Sequence, residues 1–250
     1  MKIDVLFQGF PGKITRGYMS WSSVVYVETA GHKILFDTGS MVERSELPKR
    51  FAEHGLRMDD IDLLVLSHFH HDHIMNFDYF KNARILLHEQ EAEWVSQDVE
   101  DWPVPKYLFP VLQNSGRLEL IQKDEEILPG VSTLLSPGHT PGCMSLVLRD
   151  HDMPITVLAG DAVKNISELA TGEVAMSWDN AASARTIRKI RQTADVVIPG
   201  HDRILRILPG KIAATTSCHE TITIPPGTAD AASSRDINLT IEPSSLPTKE

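Results

Sequence analysis

Residues 67–73 of this chain read Ser67-His68-Phe69-His70-His71-Asp72-His73, and this stretch decides how the remaining sequence is interpreted. It follows DLLVLS at 62–67, a short run that is apolar on both faces, as a central strand of a sheet is. The stretch therefore begins at a predicted strand end, where a loop can direct several side chains into one space. A chance polar loop would not concentrate this many histidines beside an aspartate, so we expect a chemical site here.

The spacing of these side chains indicates metal binding. Alternate residues in an extended backbone face the same way, so His68 and His70 can bind one metal ion. Asp72 and His73 fall on the next bend and can face a second ion. His71 alternates out of phase with His68 and His70, so we expect it to be exposed or to lie behind the ligands. Imidazole and carboxylate ligands suit zinc, and they also suit manganese or iron.

Three further predicted strand ends carry a histidine or an aspartate beside a glycine. They are SPGHTPG at 136–142, AGD at 159–161 and PGHD at 199–202. Each is a weak signal by itself, since a histidine after glycine is usually a turn residue. Together with the first stretch they give an ordered set of strand-end ligands, His68, His70, Asp72, His73, His139, Asp161 and His201. Such a set suffices for two metal ions that share one carboxylate.

The order HxHxDH, GHT, GD and GH resembles the metallo-β-lactamase-fold hydrolases over residues 1–208. FDTGS at 36–40 is similar to an early strand-turn of that family, which places Asp37 near the metal ions. The resemblance implies an α/β fold, the αββα four-layer sandwich, with two mixed sheets back to back, helices outside and a dinuclear metal site at one edge. It also implies that His68, His70 and His139 hold the first ion, that Asp72, His73 and His201 hold the second, and that Asp161 bridges both.

Within this superfamily the layout looks most like the acyl-homoserine-lactone lactonases and related lactone or ester hydrolases. That resemblance implies a metal-dependent hydrolase in which hydroxide between two divalent ions opens a small lactone or cleaves an ester. Zn²⁺ is the expected metal, and Mn²⁺ or Fe²⁺ fit the same ligands. Asp72 and Asp161 are the predicted catalytic carboxylates, and we expect Asp72 to relay the proton that is released. The expected partner is a small ester or lactone molecule.

One position departs from the lactonase pattern. Lys164 stands where those lactonases carry a tyrosine that supports lactone opening. Its ammonium can stabilise a carbonyl oxyanion or bind a carboxylate, or it can be a solvent-facing loop lysine.

Two other reactions stay open on the same dinuclear site. Glyoxalase-II-type thioesterases share part of the pattern, but they usually carry GHTxGH where this chain has Cys143, which we expect to pack as a small buried residue. A phosphodiesterase or ribonuclease also stays open, because TADVVIPGHDRILRI at 193–207 resembles a small animal branch linked to RNA cleavage. A metal-binding scaffold without activity is disfavoured because the ligand set is complete.

Composition restricts the partners and the compartment. The chain has 250 residues, with 24 Lys and Arg against 34 Asp and Glu, and its formal net charge of −10 argues against nucleic acid as a partner. The 2 cysteines do not form a disulfide framework, so we expect a cytoplasmic protein. No stretch approaches the roughly 20 apolar residues of a membrane span, and the apolar start is too short for a signal peptide. A homodimer is left open.

The pattern predicts one catalytic domain at 1–222 and a weakly packed tail, rich in Pro, Ser and Thr, at 223–250. Residues 89–101 carry six acids and no base and are expected to form a solvated helix face. Residues 102–118 are irregular, with three prolines, and we expect a lid or an association surface there. Predicted strands cover 3–8, 22–29, 32–37, 62–67, 84–88, 132–136, 144–149, 155–160 and 195–200, and predicted helices cover 43–55 and 179–194.

The substrate pocket is expected beside the loop GYMSW at 17–21, between the first two predicted strands. Trp21 and Met19 are predicted to line an apolar pocket there and, with Lys164, to contact the substrate. Further aromatic candidates for the pocket are Trp178, Trp102, Tyr107 and Phe109.

Overall fold

A computed structural model of the protein describes residues 1–97, 99–227 and 235–249. In chain order, the strands are β1 Lys2–Phe7, β2 Phe10–Ile14, β3 Gly17–Trp21, β4 Val24–Thr29, β5 His32–Phe36, β6 Leu63–Val65, β7 Arg84–His88, β8 Leu118–Ile121, β9 Glu126–Leu128, β10 Val131–Leu135, β11 Met144–Leu148, β12 Thr156–Gly160, β13 Val196–Pro199, β14 Leu205–Leu208, β15 Lys211–Ala214, β16 Cys218–Ile224, β17 Arg235–Ile241 and β18 Ser244–Pro247. The α-helices are α1 Leu47–Glu53, α2 His71–Ile74, α3 Glu89–Ser96, α4 Phe109–Gln113, α5 Ile166–Thr171 and α6 Asn180–Thr193. Within these described ranges, none of the helices combines the length and the hydrophobicity needed to cross a membrane.

The first sheet is built from the amino-terminal strands in the order β1-β4-β5-β6-β7-β8. The β4–β5 hairpin turns at Ala30 and Gly31, which both have positive φ, as a two-residue hairpin turn requires. From β5 to β8 the strands run parallel. All three residues of β6 are buried, which agrees with the run predicted to be apolar on both faces.

The second sheet has the order β18-β15-β14-β13-β12-β11-β10-β9. Its strands pair antiparallel except β12 and β13, which are parallel. The chain between those two strands forms α5 and α6, since a parallel pair needs a crossover connection. Asp179 caps α6 by accepting a hydrogen bond from the backbone N–H of Ala182 at 2.9 Å.

Three apolar clusters separate the layers of the molecule. The middle cluster joins residues of both sheets, such as Val25 and Leu86 of the first and Leu146 and Leu158 of the second. A second cluster packs the other face of the first sheet against α1, α3 and α4, and a third packs the second sheet against α5 and α6. This helix–sheet–sheet–helix layering confirms the predicted αββα four-layer sandwich.

The end of the chain differs from the weakly packed tail that was expected over 223–250. Ser244–Pro247 forms β18, which pairs with β15 at the edge of the second sheet, and Leu246 packs against the helix-side core. An edge strand can be held by backbone pairing and one apolar residue, so a sparse sequence does not exclude it. The predicted boundary at 222 falls inside β16, and residues 228–234 and 250 lie outside the described residues.

The segment 102–118 is also more structured than predicted. It contains α4, whose Phe109 and Leu112 are buried in the core beside the first sheet. Only its beginning, at Trp102 and Pro103, lines the cleft described below, so the expectation of a lid applies to those residues and not to the helix.

Candidate metal centre

Strand ends from both sheets meet at one edge of the sandwich. In the first sheet Asp37 follows β5 and His68 lies just beyond β6, and these two strands run parallel. In the second sheet Asp161 follows β12 and His201 lies just beyond β13, which are parallel as well. Because parallel strands present their carboxyl ends at the same edge, residues far apart in sequence are brought to one place.

The structure brings all the predicted metal ligands together at this edge. They form three groups whose ligand atoms lie within 4.8 Å of one another: His68, His70 and His139; His68, His73 and Asp161; and Asp72, His73 and His201. The first and third groups are the two sets that the family resemblance implies for two ions. Only Asp72 among them is more than slightly exposed, with 15% of its side chain accessible.

Asp161 lies between the two sets. Its Oδ2 is 3.2 Å from Nε2 of His139, in the first set. Its Oδ1 is 3.3 Å from Nε2 of His73 and 3.2 Å from Nε2 of His201, in the second set. Gly200 provides the space, because a Cβ on this residue would lie 2.0 Å from Oδ1 of Asp161. One oxygen of this carboxylate therefore faces each set, as a bridging ligand requires.

The donor atoms at the centre fit a divalent metal ion. Nε2 of His68, Nε2 of His73 and Oδ1 of Asp161 are buried and have no hydrogen-bond partner within the described residues. Leaving a buried polar atom unpaired costs about 1–3 kcal/mol. Imidazole nitrogens and carboxylate oxygens are preferred ligands of zinc. A divalent ion would satisfy these atoms together.

The other ring nitrogen of each second-set histidine is held by an acceptor. His73 donates from Nδ1 to Oδ2 of Asp37 at 2.7 Å, and His201 donates from Nδ1 to the carbonyl oxygen of Trp21 at 2.9 Å. A carbonyl or carboxylate partner places the proton on Nδ1 and leaves the Nε2 lone pair for a metal. Both histidines are thus prepared as Nε2 ligands.

Two of the three histidines of the first set, His68 and His70, are also oriented by a partner on the other ring nitrogen. Ser67 Oγ lies 2.9 Å from Nδ1 of His68, and because this hydroxyl donates to Asp37 it accepts from the ring. His70 is reversed, since its Nε2 lies 3.1 Å from Oδ2 of Asp101 and its Nδ1 lies 3.0 Å from Nε2 of His139. The free lone pairs are therefore Nε2 of His68 and Nδ1 of His70.

Asp37 anchors this edge from the first sheet. Its carboxylate accepts from the backbone N–H of Ser67 at 2.7 Å and from Ser67 Oγ at 2.8 Å, in addition to His73. Its φ is +60°, a left-handed conformation that aspartate tolerates better than most residues. A conformation of this kind persists only where the surroundings impose it, and it is frequent at functional sites.

Electrostatics separate the two sets. Burial lowers the pKa of His68 and of His139 well below its usual value, which favours neutral imidazoles that can bind a metal. Burial also lowers the pKa of His73, but Asp161 and Asp37 outweigh this effect and raise it well above its usual value. Burial raises the pKa of Asp161, yet the surrounding histidines, His201 first, outweigh it and hold that pKa well below its usual range. The bridging carboxylate is therefore ionised.

A cleft of about 940 Å³ opens above the centre. His70, Asp72 and Asp161 are among the residues that line it. At its mouth the rings of Tyr18 and Trp102 stack with centroids 5.5 Å apart. This volume is in the range of small-molecule sites.

The structure corrects the prediction that Trp21 and Met19 line the pocket. Both lie on β3, and the residues of this strand that line the cleft are Tyr18 and Ser20. Successive side chains of a strand point to opposite faces, so Trp21 and Met19 face away. Trp21 instead stacks on Phe10, with ring centroids 4.7 Å apart, and contributes to the centre through its carbonyl oxygen.

Lys164 does line the cleft, as the sequence predicts. It is not a solvent-facing lysine, because only 16% of its side chain is exposed and its Nζ lies 3.1 Å from Oε1 of Glu168. The other oxygen of Glu168 accepts from the backbone N–H of Lys164 at 2.8 Å. The Nζ atom is itself buried beside this carboxylate, so the ammonium lies in the wall of the cleft and is not exposed in it.

The aromatic candidates separate into two groups. Trp102 and Trp178 line the cleft and remain largely exposed. Tyr107 does not line the cleft and is 70% exposed, and Phe109 is buried against Phe69.

Two other residues singled out in the sequence lie near the centre. His71 is half-buried and lines the cleft. Cys143 is buried, as predicted for a packing residue.

Two carboxylates near the centre were missed by the sequence analysis. Glu91 and Asp101 both lie in the segment 89–101 that was expected to be a solvated helix face. Glu91 is fully buried, and Asp101 contacts a predicted ligand, His70. Buried Ala92 and Val95 on the same helix mark an inward face that includes Glu91, and this pattern was the available signal.

Relatives of known sequence are similar to this chain over about two thirds of its length. N-acyl homoserine lactonase AiiB of Agrobacterium fabrum is 30% identical over 181 residues, which cover 63% of this chain and 62% of that protein. Metallo-beta-lactamase domain-containing protein 1 of Homo sapiens is 32% identical over 182 residues, which cover 72% of this chain and 62% of that protein. The matched part thus spans less than two thirds of either relative.

Solved structures and a family model agree with the fold. A mutant of AiiA from B. thuringiensis with N-decanoyl-L-homoserine bound at the active site is similar with a TM-score of 0.63, at 20% identity, over 80% of this chain and 92% of that chain. The model described as the Metallo-beta-lactamase superfamily matches residues 19–201. The family resemblance inferred from the motifs is confirmed, and the chain belongs to the metallo-beta-lactamase superfamily.

Proposed function

We propose that this protein is a dinuclear metal-dependent hydrolase that opens a small lactone or cleaves an ester. The observation that carries the proposal is the pair of ligand sets, joined by Asp161, at the base of a cleft of small-molecule size. The similarity to a protein named N-acyl homoserine lactonase supports a lactone as the substrate. Bound divalent ions would polarise the scissile carbonyl and lower the pKa of water.

The residues that would hold the ions are those of the two sets, and zinc suits their mixture of imidazole and carboxylate. Asp161 keeps the two halves in register because each of its oxygens faces one set. Manganese and iron accept the same ligands, so the identity of the metal is part of the proposal.

In this proposal Asp72 carries the proton. It lines the cleft, and its Oδ2 is 3.3 Å from Nε2 of His201. Burial raises its pKa, but His73 and His201 outweigh that effect and lower it, so the carboxylate is ready to accept a proton. In lactone opening, the oxygen of water bonds to the carbonyl carbon, the ring C–O bond breaks, and Asp72 passes the proton of water to the leaving alkoxide.

Lys164 supplies positive charge beside the reacting carbonyl. Its Nζ is buried beside Glu168 in the wall of the cleft, and a shift of this side chain toward the substrate would let the ammonium stabilise an oxyanion or pair with a substrate carboxylate. Glu168 offsets the positive charge of Lys164, so the two side chains together carry little net charge before the reaction. This arrangement favours a substrate whose carbonyl oxygen is neutral when it binds and becomes negatively charged only during the reaction.

The cleft favours a small neutral substrate over a nucleic acid. Its mouth carries the exposed apolar side chains of Tyr18, Trp102 and Trp178, while Glu100 and Asp101 add negative charge. A nucleic-acid site would need a basic surface to track phosphates. The net charge of −10 acts in the same direction.

A substrate panel tests the proposal. The zinc-loaded protein is assayed on acyl lactones, an aryl ester, a glutathione thioester and a bis-aryl phosphodiester, and lactone or ester turnover is expected to dominate. Activity confined to the phosphodiester or the thioester would refute the proposed substrate class. His139→Ala should abolish activity and remove the ion of the first ligand set, and a full content of two ions in that variant would refute the assigned site.

Lys164→Ala is compared with Lys164→Arg on the same panel, since arginine keeps the charge. We expect Lys164→Ala to lower kcat on lactones with a smaller change in KM. Unchanged rates on every substrate would show that Lys164 takes no part in the reaction.

We also propose a cytoplasmic location for the protein, which the unpaired Cys143 and Cys218 support. The homodimer stays a prediction, which sedimentation would test.

A further inference from the structure

Glu91 is a fully buried carboxylate that joins the two loops carrying the first ligand set. It lies in the first turn of α3 and none of its surface is exposed. Its Oε1 accepts from the backbone N–H of Phe69 at 2.9 Å. Its Oε2 accepts from Oγ1 of Thr140 at 2.7 Å and from the backbone N–H of Gly142 at 3.1 Å.

The positions of these donors relate Glu91 to one half of the centre. Phe69 stands between His68 and His70, and Thr140 directly follows His139. Every ligand of the first set is therefore a sequence neighbour of a residue that donates a hydrogen bond to Glu91. The second set is held elsewhere, through Asp37 and the carbonyl oxygen of Trp21.

The close approach of α3 to the second loop is itself built into the sequence. A Cβ on Gly142 would lie 2.0 Å from the backbone nitrogen of Glu91, so glycine is needed for the carboxylate to reach this loop. A buried carboxylate with no partner would be costly, and its hydrogen bonds offset that cost.

We propose that Glu91 is a positioning residue. It sets the spacing of the first half-site, which is the metal site formed by the first ligand set, and it does not act on the second half-site, formed by the second set. Glu91 touches neither substrate nor metal, and it acts through the backbone of the two loops. The inference rests on the proposed metal centre but not on the lactone as substrate.

Glu91→Gln tests the role with little change in shape. A glutamine has one acceptor oxygen, so its amide nitrogen must face either the N–H of Phe69 or the N–H of Gly142. One backbone donor then meets another donor, and the two loops shift relative to each other. Supporting residues around metal ligands typically contribute about 10–100-fold in metal affinity.

Zinc binding is measured by competition with a chromophoric chelator, using Zn²⁺ alone, in two single-site backgrounds. His201→Ala weakens the second half-site, so Zn²⁺ binding in this background reports on the first half-site. His139→Ala weakens the first half-site, so Zn²⁺ binding in that background reports on the second. We expect Glu91→Gln to weaken Zn²⁺ binding about tenfold or more in the His201→Ala background. In the His139→Ala background, binding should change less than about threefold by the same reasoning.

Two control substitutions on the same helix separate positioning from stability. Glu93→Gln changes an exposed carboxylate on the other face of α3 and should leave both affinities unchanged. Val95→Ala removes a buried contact of α3, so it should lower the melting temperature without a selective loss at the first half. A selective loss in Val95→Ala would contradict a specific role for Glu91.

Gly142→Ala gives an independent test because it leaves the carboxylate in place. Its Cβ would push α3 away from the loop, so the same selective loss of Zn²⁺ affinity is expected, and this variant decides the matter if Glu91→Gln does not fold. Equal losses in both backgrounds, or no loss in the first, would overturn the proposal. If neither background binds Zn²⁺, both the metal centre and the role of Glu91 are refuted. If Glu91→Gln weakens Zn²⁺ binding selectively at the first half-site but the protein does not hydrolyse lactones, only the proposed substrate is refuted.

Discussion

Replacing Asp37 with asparagine should change which nitrogen of His73 carries the proton. In the native protein the carboxylate accepts from Nδ1 of His73 at 2.7 Å and from both the N–H and the Oγ of Ser67. In Asp37→Asn the amide oxygen can still accept from the N–H of Ser67, and the amide nitrogen then faces His73. His73 must accept through Nδ1, which moves its proton to Nε2, the atom that faces Asp161 and the metal site.

The size of the effect follows from this geometry. A histidine with its proton on Nε2 must change tautomer before it binds, and partners of this kind are typically worth about 10–100-fold in metal affinity. That corresponds to about 1.4–2.8 kcal/mol, since each tenfold change is about 1.4 kcal/mol. Losing a hydrogen bond to a charged group costs about 1.5–3 kcal/mol of stability. For a chain of this size the metal-free melting temperature should fall by about 3–12 °C.

The assay is Zn²⁺ competition in the His139→Ala background, which reports the second half of the centre, with melting of the metal-free protein in parallel. Asparagine is the suitable replacement because it tolerates the positive φ of Asp37, whereas alanine would add backbone strain. Asp195→Asn is the matched control, since its carboxylate also accepts from a backbone N–H, that of Ile155, but at the opposite end of β12. Native Zn²⁺ affinity in Asp37→Asn would refute the tautomer argument, even if the melting temperature fell.

Three further perturbations follow from the same site. Asp101→Ala should lower Zn²⁺ affinity at the first half-site by only about three- to tenfold, because Asp101 is 34% exposed and water can replace it on His70. Chelator competition in the His201→Ala background measures this affinity, and an unchanged value would contradict the orienting role of Asp101. Gly200→Ala should lower the content of both metals, measured by elemental analysis, because its Cβ would displace Asp161; a full complement would show that the carboxylate has room to move. Removing the metal from the native protein with a chelator should lower its melting temperature by about 5–11 °C, provided that the free metal concentration before chelation was about 100 times the Kd, since metal binds only the folded state. An unchanged melting temperature in a calorimetric scan would contradict a bound metal.

The motifs predicted the ligand cluster because their signals are local, whereas the αββα fold and the division of the ligands between two ions were implied by the family resemblance. The run at 63–66 is apolar at every position, as in a strand that is covered on both faces, and it ends just before Ser67 and His68. The ligands that are far apart in sequence each follow a strand, so their convergence follows from the parallel arrangement of strand ends.

Other elements could not be predicted because their signals depend on register or on tertiary contacts. The choice of Trp21 and Met19 over Tyr18 and Ser20 reverses with a shift of one residue, because side chains alternate along β3. The strand β18 is held by backbone pairing with β15, which leaves little trace in side-chain composition. Both errors concern the face or the pairing of a strand and not its existence.

The missed carboxylates have a different cause. In a helix with several acids, Glu91 differs from its neighbours only because its donors come from residues 69, 140 and 142, which no local pattern relates to it. Asp37, which follows β5, and the carbonyl of Trp21, on β3, support the second half from other segments of the chain. The halves share Asp161, and Asp37 contacts His73 directly but reaches His68 only through Ser67. Changes near residue 91 should therefore affect the first metal ion, and changes near residue 37 should affect the second ion more strongly. Motifs reveal the ligands because the ligands lie next to strand ends, whereas only the folded structure reveals which segment holds each half in place.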